Sequence, residues 1–264
     1  MRCVAIGTLL AAGLALSGAH AADDFADELT AAARPAAPAP AADADIAAEL
    51  TASRNPAARA LFFSGAEMMR SGYFAHGGFL WAPNGLDQDG PVFKLLLYGG
   101  RYRYHSGTTQ ITGRQFAGSA LPGWRFRRDG LEVTVFAGPD VQEHRYTPAD
   151  PANRLGGTHY GVRGGGDVWY EPFRDAMLTG SVSLSTIGKT YWTRAATGWR
   201  LFDAVWIGPE VHAVGDDTFG ELRFGVHVSS LRLWNYEWSA GAGWTTNTDK
   251  RNGPYGRIGV VVRK

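Results

Sequence analysis

The chain has 264 residues, with 26 Lys or Arg against 25 Asp or Glu, so its net charge is +1 with His neutral. That balance lacks the basic stripe a nucleic-acid binder needs, and no nucleic-acid partner is expected. The single cysteine, Cys3, precedes the bulk of the chain. A disulfide framework, a Cys-based metal site and a thiol nucleophile are therefore excluded from the remaining residues.

Met1-Arg2 lead into an uncharged apolar run from Val4 to Leu16, and Ser17-Gly18-Ala19-His20-Ala21 closes on an A-x-A pattern. These parts predict a secretory signal peptide over 1–21, cleaved after Ala21. The run is shorter than the ~20 residues a membrane helix requires. Residues 22–58 are mostly Ala, Asp, Glu and Pro, with Arg34-Pro35-Ala36-Ala37-Pro38-Ala39-Pro40 at the centre and Phe25 as the only aromatic. Such a segment cannot bury enough surface to offset its ordering entropy, so it reads as a disordered Ala/Pro-rich linker.

Composition changes over 59–264, which holds every Trp, every Tyr and every Phe but Phe25. No later apolar run approaches the ~20 residues of a membrane helix. A mean hydropathy of −0.18 does not count against a membrane protein, because alternating strands average out. The most informative stretch is Glu221 to Ser229. Leu222, Phe224, Val226 and Val228 alternate strictly with Glu221, Arg223, Gly225, His227 and Ser229. In a strand, this period of two puts all apolar groups on one face and all ionisable or small groups on the other.

Turn signals divide the region into strands over 60–68, 73–82, 91–104, 110–128, 131–146, 157–170, 176–187, 190–201, 204–213, 219–231, 236–246 and 254–263. Asp129-Gly130 predicts a tight type I′ hairpin. Pro83-Asn84-Gly85, Gly138-Pro139-Asp140, Gly215-Asp216-Asp217 and Asn252-Gly253-Pro254 also read as punctuation, and Pro122 and Pro139 as points where a strand splits or bulges. About 12 strands, at roughly 17 residues each with connections, exceed the 9–11 residues needed to cross a bilayer at a tilt. The longest connections, Thr147 to Gly156 and Asn247 to Gly253, fall on odd-numbered turns; Gly85 to Gly90, on an even one, fits that topology less well.

Alternation assigns faces. Val205, Ile207, Val211 and Ala213 oppose Trp206, Glu210 and His212. Tyr160, Val162, Val168 and Tyr170 oppose His159, Arg163 and Asp167. Leu178, Val182 and Leu184 oppose Thr179, Ser181, Ser183 and Ser185. Trp238 and Trp244 bracket Ala240 and Ala242, as an aromatic girdle would at two membrane interfaces. The pattern predicts an all-β, antiparallel up-and-down transmembrane barrel with its apolar face outward. The alternative is a soluble sandwich with those faces inside, which would have to manage its edges with few lysines (Lys94, Lys189, Lys250, Lys264). The last residues, Val260 to Lys264, lack the terminal aromatic common in such barrels, which puts full closure in question.

The inward ionisable set is Glu67, His76, Arg163, Asp167, Arg194, Glu210, His212, Glu221, Arg223, His227, Glu237 and Arg257. Mixed signs on neighbouring strands suit either a salt-bridged filling or the wall of a narrow polar pore. Trp206, with Trp169 and Trp192, offers faces for sugar stacking. The candidate ligand-binding residues are thus Trp169, Trp192, Trp206, Glu210, His212, Arg223 and His227. A Ser–His–acid set could be drawn from Ser229, His227 or His212 and Glu210 or Glu221. Glu210 with Glu221 could form a carboxylate pair of the glycosidase kind, and His212, His227 and Glu210 a metal site. Alternating Ser, His and Glu offer such sets by chance, so no catalytic residues, metal or cofactor are expected. Gly164-Gly165-Gly166 falls inside a strand and is not a phosphate loop.

Several stretches occur in a familiar order: Ser71-Gly72-Tyr73-Phe74-Ala75, Leu97-Tyr98-Gly99-Gly100-Arg101-Tyr102-Arg103-Tyr104, Asp150-Pro151-Ala152-Asn153 running on to Gly156, Tyr160-Gly161, Trp169-Tyr170-Glu171-Pro172, Ile207-Gly208-Pro209-Glu210-Val211 and Gly253-Pro254-Tyr255-Gly256. Over roughly 70–264 the chain resembles the cellulose biosynthesis protein BcsS family of alphaproteobacteria. The resemblance implies a non-enzymatic outer-membrane protein assisting cellulose production or export. Its implied partners are outer-membrane lipid, a cellulose or β-glucan chain and other cellulose-synthesis or secretion proteins. A small general porin or adhesin, or a lipid- or glycan-modifying enzyme, are the alternatives.

Overall fold

The computed structural model describes residues 58–151, 153–202, 204–217 and 219–264. The expected signal peptide and nearly all of the expected linker lie outside the described residues. Twelve strands follow in order: β1 Ala60–Met69, β2 Gly72–Trp81, β3 Gly90–Ser106, β4 Thr109–Arg128, β5 Leu131–Thr147, β6 Gly157–Phe173, β7 Ala176–Ser185, β8 Tyr191–Leu201, β9 Val205–Gly215, β10 Gly220–Leu233, β11 Tyr236–Asn247 and β12 Gly253–Arg263. Each pairs antiparallel with its sequence neighbours, and β12 returns to β1, closing the barrel. Closure is continuous from Leu61↔Arg263 to Met69↔Tyr255. Backbone bonds from Arg59 and Ala60 to Lys264 O extend it by one step. A terminal aromatic is therefore not needed for closure, and the sandwich alternative is set aside.

The strands form where alternation is strongest, and the alternation decides the faces. On β10, Leu222, Phe224 and Val226 are exposed while Glu221, Arg223, His227 and Ser229 are buried. The polar face is the inside of the barrel, and the apolar face is the outside. All twelve ionisable residues assigned inward occupy inward positions; eleven are buried and His76 is half-buried.

Turn chemistry explains most of the connections. Asp129 and Gly130, at φ 43° and 83°, give the I′ hairpin between β4 and β5. Gly138-Pro139-Asp140 is a correction: it is not a turn but the middle of β5, with Asp140 facing inward. Paired residues lapse between Ser119↔Asp140 and Gly123↔Phe136, where Pro122 and Pro139 lack an N–H to donate. The register is the same on both sides, so neither proline inserts a bulge. A register shift does occur between Val228 and Leu231, where Ser230 takes φ 65°.

The two ends of the barrel differ. At the end carrying Ala60 and Arg263, the connection 82–89 folds into the mouth. Its Leu86 is buried with Ala58, Leu61, Leu80 and Val92. Arg125 Nη1 donates to Leu86 O at 2.5 Å, and Arg127 Nη1 lies 2.7 Å from Asp87 Oδ1. This explains a sizeable loop on an even-numbered turn: it is a cap. At the opposite end, Tyr104 donates to Asp150 Oδ2 at 2.7 Å, holding Asp150 inward beside an aromatic layer of Phe74, Tyr102, Tyr104 and Tyr146.

Candidate functional site

The lumen between the caps is the candidate site. Its side chains come from alternate positions of every strand, so its chemistry follows from the barrel geometry that turns those positions inward. The bonds that matter most are chords across the lumen rather than contacts between neighbouring strands.

Glu210 on β9 is the centre of one group. It accepts from Arg194 Nη2 on the adjacent β8 at 2.8 Å. It also accepts from Arg257 Nη2 at 2.6 Å and Tyr255 Oη at 2.9 Å, both on β12, with β10 and β11 between. His212 Nε2 lies 3.5 Å from Glu210 Oε1. The His212 ring stands edge-on to Trp192 and Tyr255, with centroids 6.0 Å away in each case. Gly241 on β11, paired with Arg257, lies against this group. A Cβ on Gly241 would overlap Glu210 Oε1 and come within 2.8 Å of Arg257 Nε.

Arg223 forms a second group. Its Nη1 donates to Glu67 Oε2 at 2.6 Å and its Nε to Glu221 Oε1 at 2.7 Å. A third group joins Arg163 on β6 to Asp140 at 3.1 Å and, across the lumen, to Tyr98 Oη on β3 at 2.7 Å. Asp140 accepts further from Ser119 and Ser185. Beside it, Lys94 lies 3.9 Å from Asp167 and 4.9 Å from the Phe136 ring centre. The cavity left among Lys94, Arg163, Asp167 and Trp192 is about 10 Å³, barely the space of a single water.

The seven sequence-predicted ligand residues all point inward, and none is more than 4 % exposed. The structure brings Glu210, His212 and Trp192 together. Trp169 and Trp206 form a separate pair, ring centres 6.3 Å apart at 75°, with Arg200 stacked 4.4 Å over Trp206. His227 Nε2 contacts Thr197 O at 3.0 Å. Arg223 faces Glu67 and Glu221 instead of Glu210. Ser229 Oγ has no hydrogen-bond partner among the described residues. Glu210 and Glu221 are each held by arginines.

Sequence reasoning missed Tyr98, Arg125, Glu132, Asp140, Gln142 and His144, all buried inward. The signal was available, because each lies in phase with the alternation of its strand. Asp140 was hidden by Pro139 and read as part of a turn. Tyr98 and Tyr104 stood out only as part of an aromatic motif, although they occupy even, inward positions of β3.

Residues 61–264 match the model of a family described as "Cellulose biosynthesis protein BcsS". No curated protein matches the chain. Among solved structures, a TodX monoaromatic hydrocarbon channel with the deltaS2S3 mutation is similar at TM-score 0.50 and 8 % identity, covering 86 % of this chain and 95 % of its own. The KdgM porin is similar at TM-score 0.43 and 12 % identity, covering 76 % and 98 %. The transport unit of the autotransporter AIDA-I from Escherichia coli is similar at 0.40 and 9 %, covering 80 % and 92 %. At these identities the likeness to the channel is one of fold.

Proposed function

The chain belongs to the cellulose biosynthesis protein BcsS family, and we propose that it serves cellulose production as a sealed outer-membrane barrel, non-enzymatically, anchoring the synthesis or secretion apparatus. The observation that carries this reading is the filled lumen. Arginine–carboxylate chords, aromatic layers and an inserted loop at one mouth occupy the space a glucan would need. The membrane location is supported by the outward apolar wall, with Phe116, Val182, Val226 and Ile258 exposed on four separate strands. Segment 22–58, expected as a linker from sequence, is the part proposed to reach a periplasmic partner.

A second reading keeps the seven inward residues as the wall of a glucan conduit. It is favoured by the three inward tryptophans, and it requires the 82–89 loop and the Asp150 contact to give way. An enzyme is less well supported, since no base bonds Ser229 Oγ among the described residues and both Glu210 and Glu221 are held by arginines. The test is deletion of the gene followed by complementation. Loss of cellulose output or of its localisation, restored equally by wild type and by Ser229→Ala, fits the anchor. Unchanged cellulose in the deletion strain would remove the pathway role, and failure of Ser229→Ala with an intact barrel would favour catalysis.

A further inference from the structure

Three arginines stand in one row on the outside of the barrel. Arg101 on β3 is directly opposite Arg114 on β4, and Arg114 is directly opposite Arg145 on β5. Side chains paired in this way have Cβ atoms about 5 Å apart, and like charges there repel. Only Arg145 has a carboxylate: its Nε donates to Glu143 Oε1 at 2.7 Å. Among the described residues no carboxylate pairs with Arg101 or Arg114, and Arg101 Nε has no hydrogen-bond partner.

The row has a defined height on the wall. Phe116 lies one outward position from Arg114 toward the middle of the barrel, and Phe126 lies near the other end of the same strand; both are exposed. Ten residues of tilted strand separate them, about 25 Å along the barrel axis, the height of a lipid-facing band. The arginines therefore sit just beyond the band, at the end away from the termini. A basic cleft of about 310 Å³ lies at the same end, lined by Arg70, Gln110, Lys250 and Arg251. Arg251 bridges the cleft to the row's own strand, donating to Arg103 O at 3.2 Å and contacting His105 Nδ1 at 2.5 Å. Asp249 belongs to the same connection.

We propose that Arg101, Arg114 and Arg145 form a binding site for the phosphorylated headgroup of an outer-leaflet glycolipid. Planar guanidiniums grip phosphate through paired hydrogen bonds, and a doubly charged headgroup seated between them turns the repulsion of the row into attraction. Position selects the lipid over a soluble anion, because the row adjoins the apolar band where the acyl chains of the same molecule would lie. This inference rests on the outer-membrane reading above.

The experiment uses the full chain reconstituted into phosphatidylcholine liposomes containing either bisphosphorylated lipid A or its dephosphorylated form, with lipid A retained on the captured protein as the readout. Binding should require the phosphates, and the triple variant Arg101→Gln, Arg114→Gln, Arg145→Gln should weaken it about a hundredfold, at roughly fivefold per cation. Arg128→Gln, at the opposite end, should leave it unchanged. Heat-modifiable gel mobility reports whether the triple variant folds; if it does not, the comparison of the two lipids on wild-type protein decides alone. Equal retention of both lipids overturns the proposal, as does a folded triple variant that binds normally or a preference for inorganic phosphate or soluble acidic polysaccharide. A chain that never enters liposomes overturns the membrane reading with it, whereas one that enters but ignores phosphate overturns this site only.

Discussion

Arg223 on β10 and Glu67 on β1 meet at 2.6 Å although 156 residues and two intervening strands separate them. The bond is a chord across the lumen, and both side chains are nearly free of solvent. A hollow pore would leave such groups to water. Here they cross-brace the barrel.

Arg223→Met should leave Glu67 and Glu221 as unpaired buried carboxylates and cost about 3–5 kcal/mol. Denaturant unfolding in detergent micelles, followed by tryptophan fluorescence, measures it. Adding Glu67→Gln to Arg223→Met should recover part of the loss, because the two residues are coupled. Strictly additive effects would contradict the chord.

Gly241→Ala tests the packing around Glu210. Its new methyl must displace Glu210 or Arg257, since the position offers no free space on the inner wall. We expect a loss of about 1–3 kcal/mol by overpacking, read in the same unfolding assay.

Val226→Arg tests the outside. Val226 lies midway along β10 on the apolar face. In a bilayer the substitution should cost about 2–4 kcal/mol, and nearer zero in a water-soluble barrel. Stability compared in lipid vesicles gives the difference.

The loop cap carries a pH dependence. Asp89 is held below the usual carboxylate range, first by the hydrogen bond from Arg128 and next by the Arg127 amide. A depressed folded-state pKa means that its contribution is present above the unfolded Asp value and lost as pH falls through the folded one. The 82–89 connection should therefore loosen on acidification below the ordinary Asp range. Hydrogen exchange at the Arg127 amide, corrected for its intrinsic rate, should rise in wild type, whereas Asp89→Asn should be loose at every pH.

Much of the architecture was legible because one physical rule, alternation about a closed sheet, fixes both strand positions and faces. Glu221 to Ser229 shows this directly: every face assigned from period two is the face observed. Arg194 with Glu210 was legible for the same reason, being a contact between neighbouring strands. Arg257 with Glu210 and Arg223 with Glu67 were not, since chords depend on how strands stagger around the whole barrel, and no local pattern encodes stagger. The Arg101–Arg114–Arg145 row was hidden likewise, as it appears only when the register of three strands is known. Leu86 looked like an ordinary loop residue because its burial depends on Ala58 and Arg125, which are distant in sequence.

The most direct test of a sealed membrane barrel is sugar permeation into proteoliposomes that carry the full chain. With a sealed lumen, protein that floats with the liposomes and shows heat-modifiable mobility admits no glucose or cellobiose above the protein-free rate. Permeation at the rate of an open porin would contradict it, and would make the Glu210, Arg223 and tryptophan groups the lining of a pore.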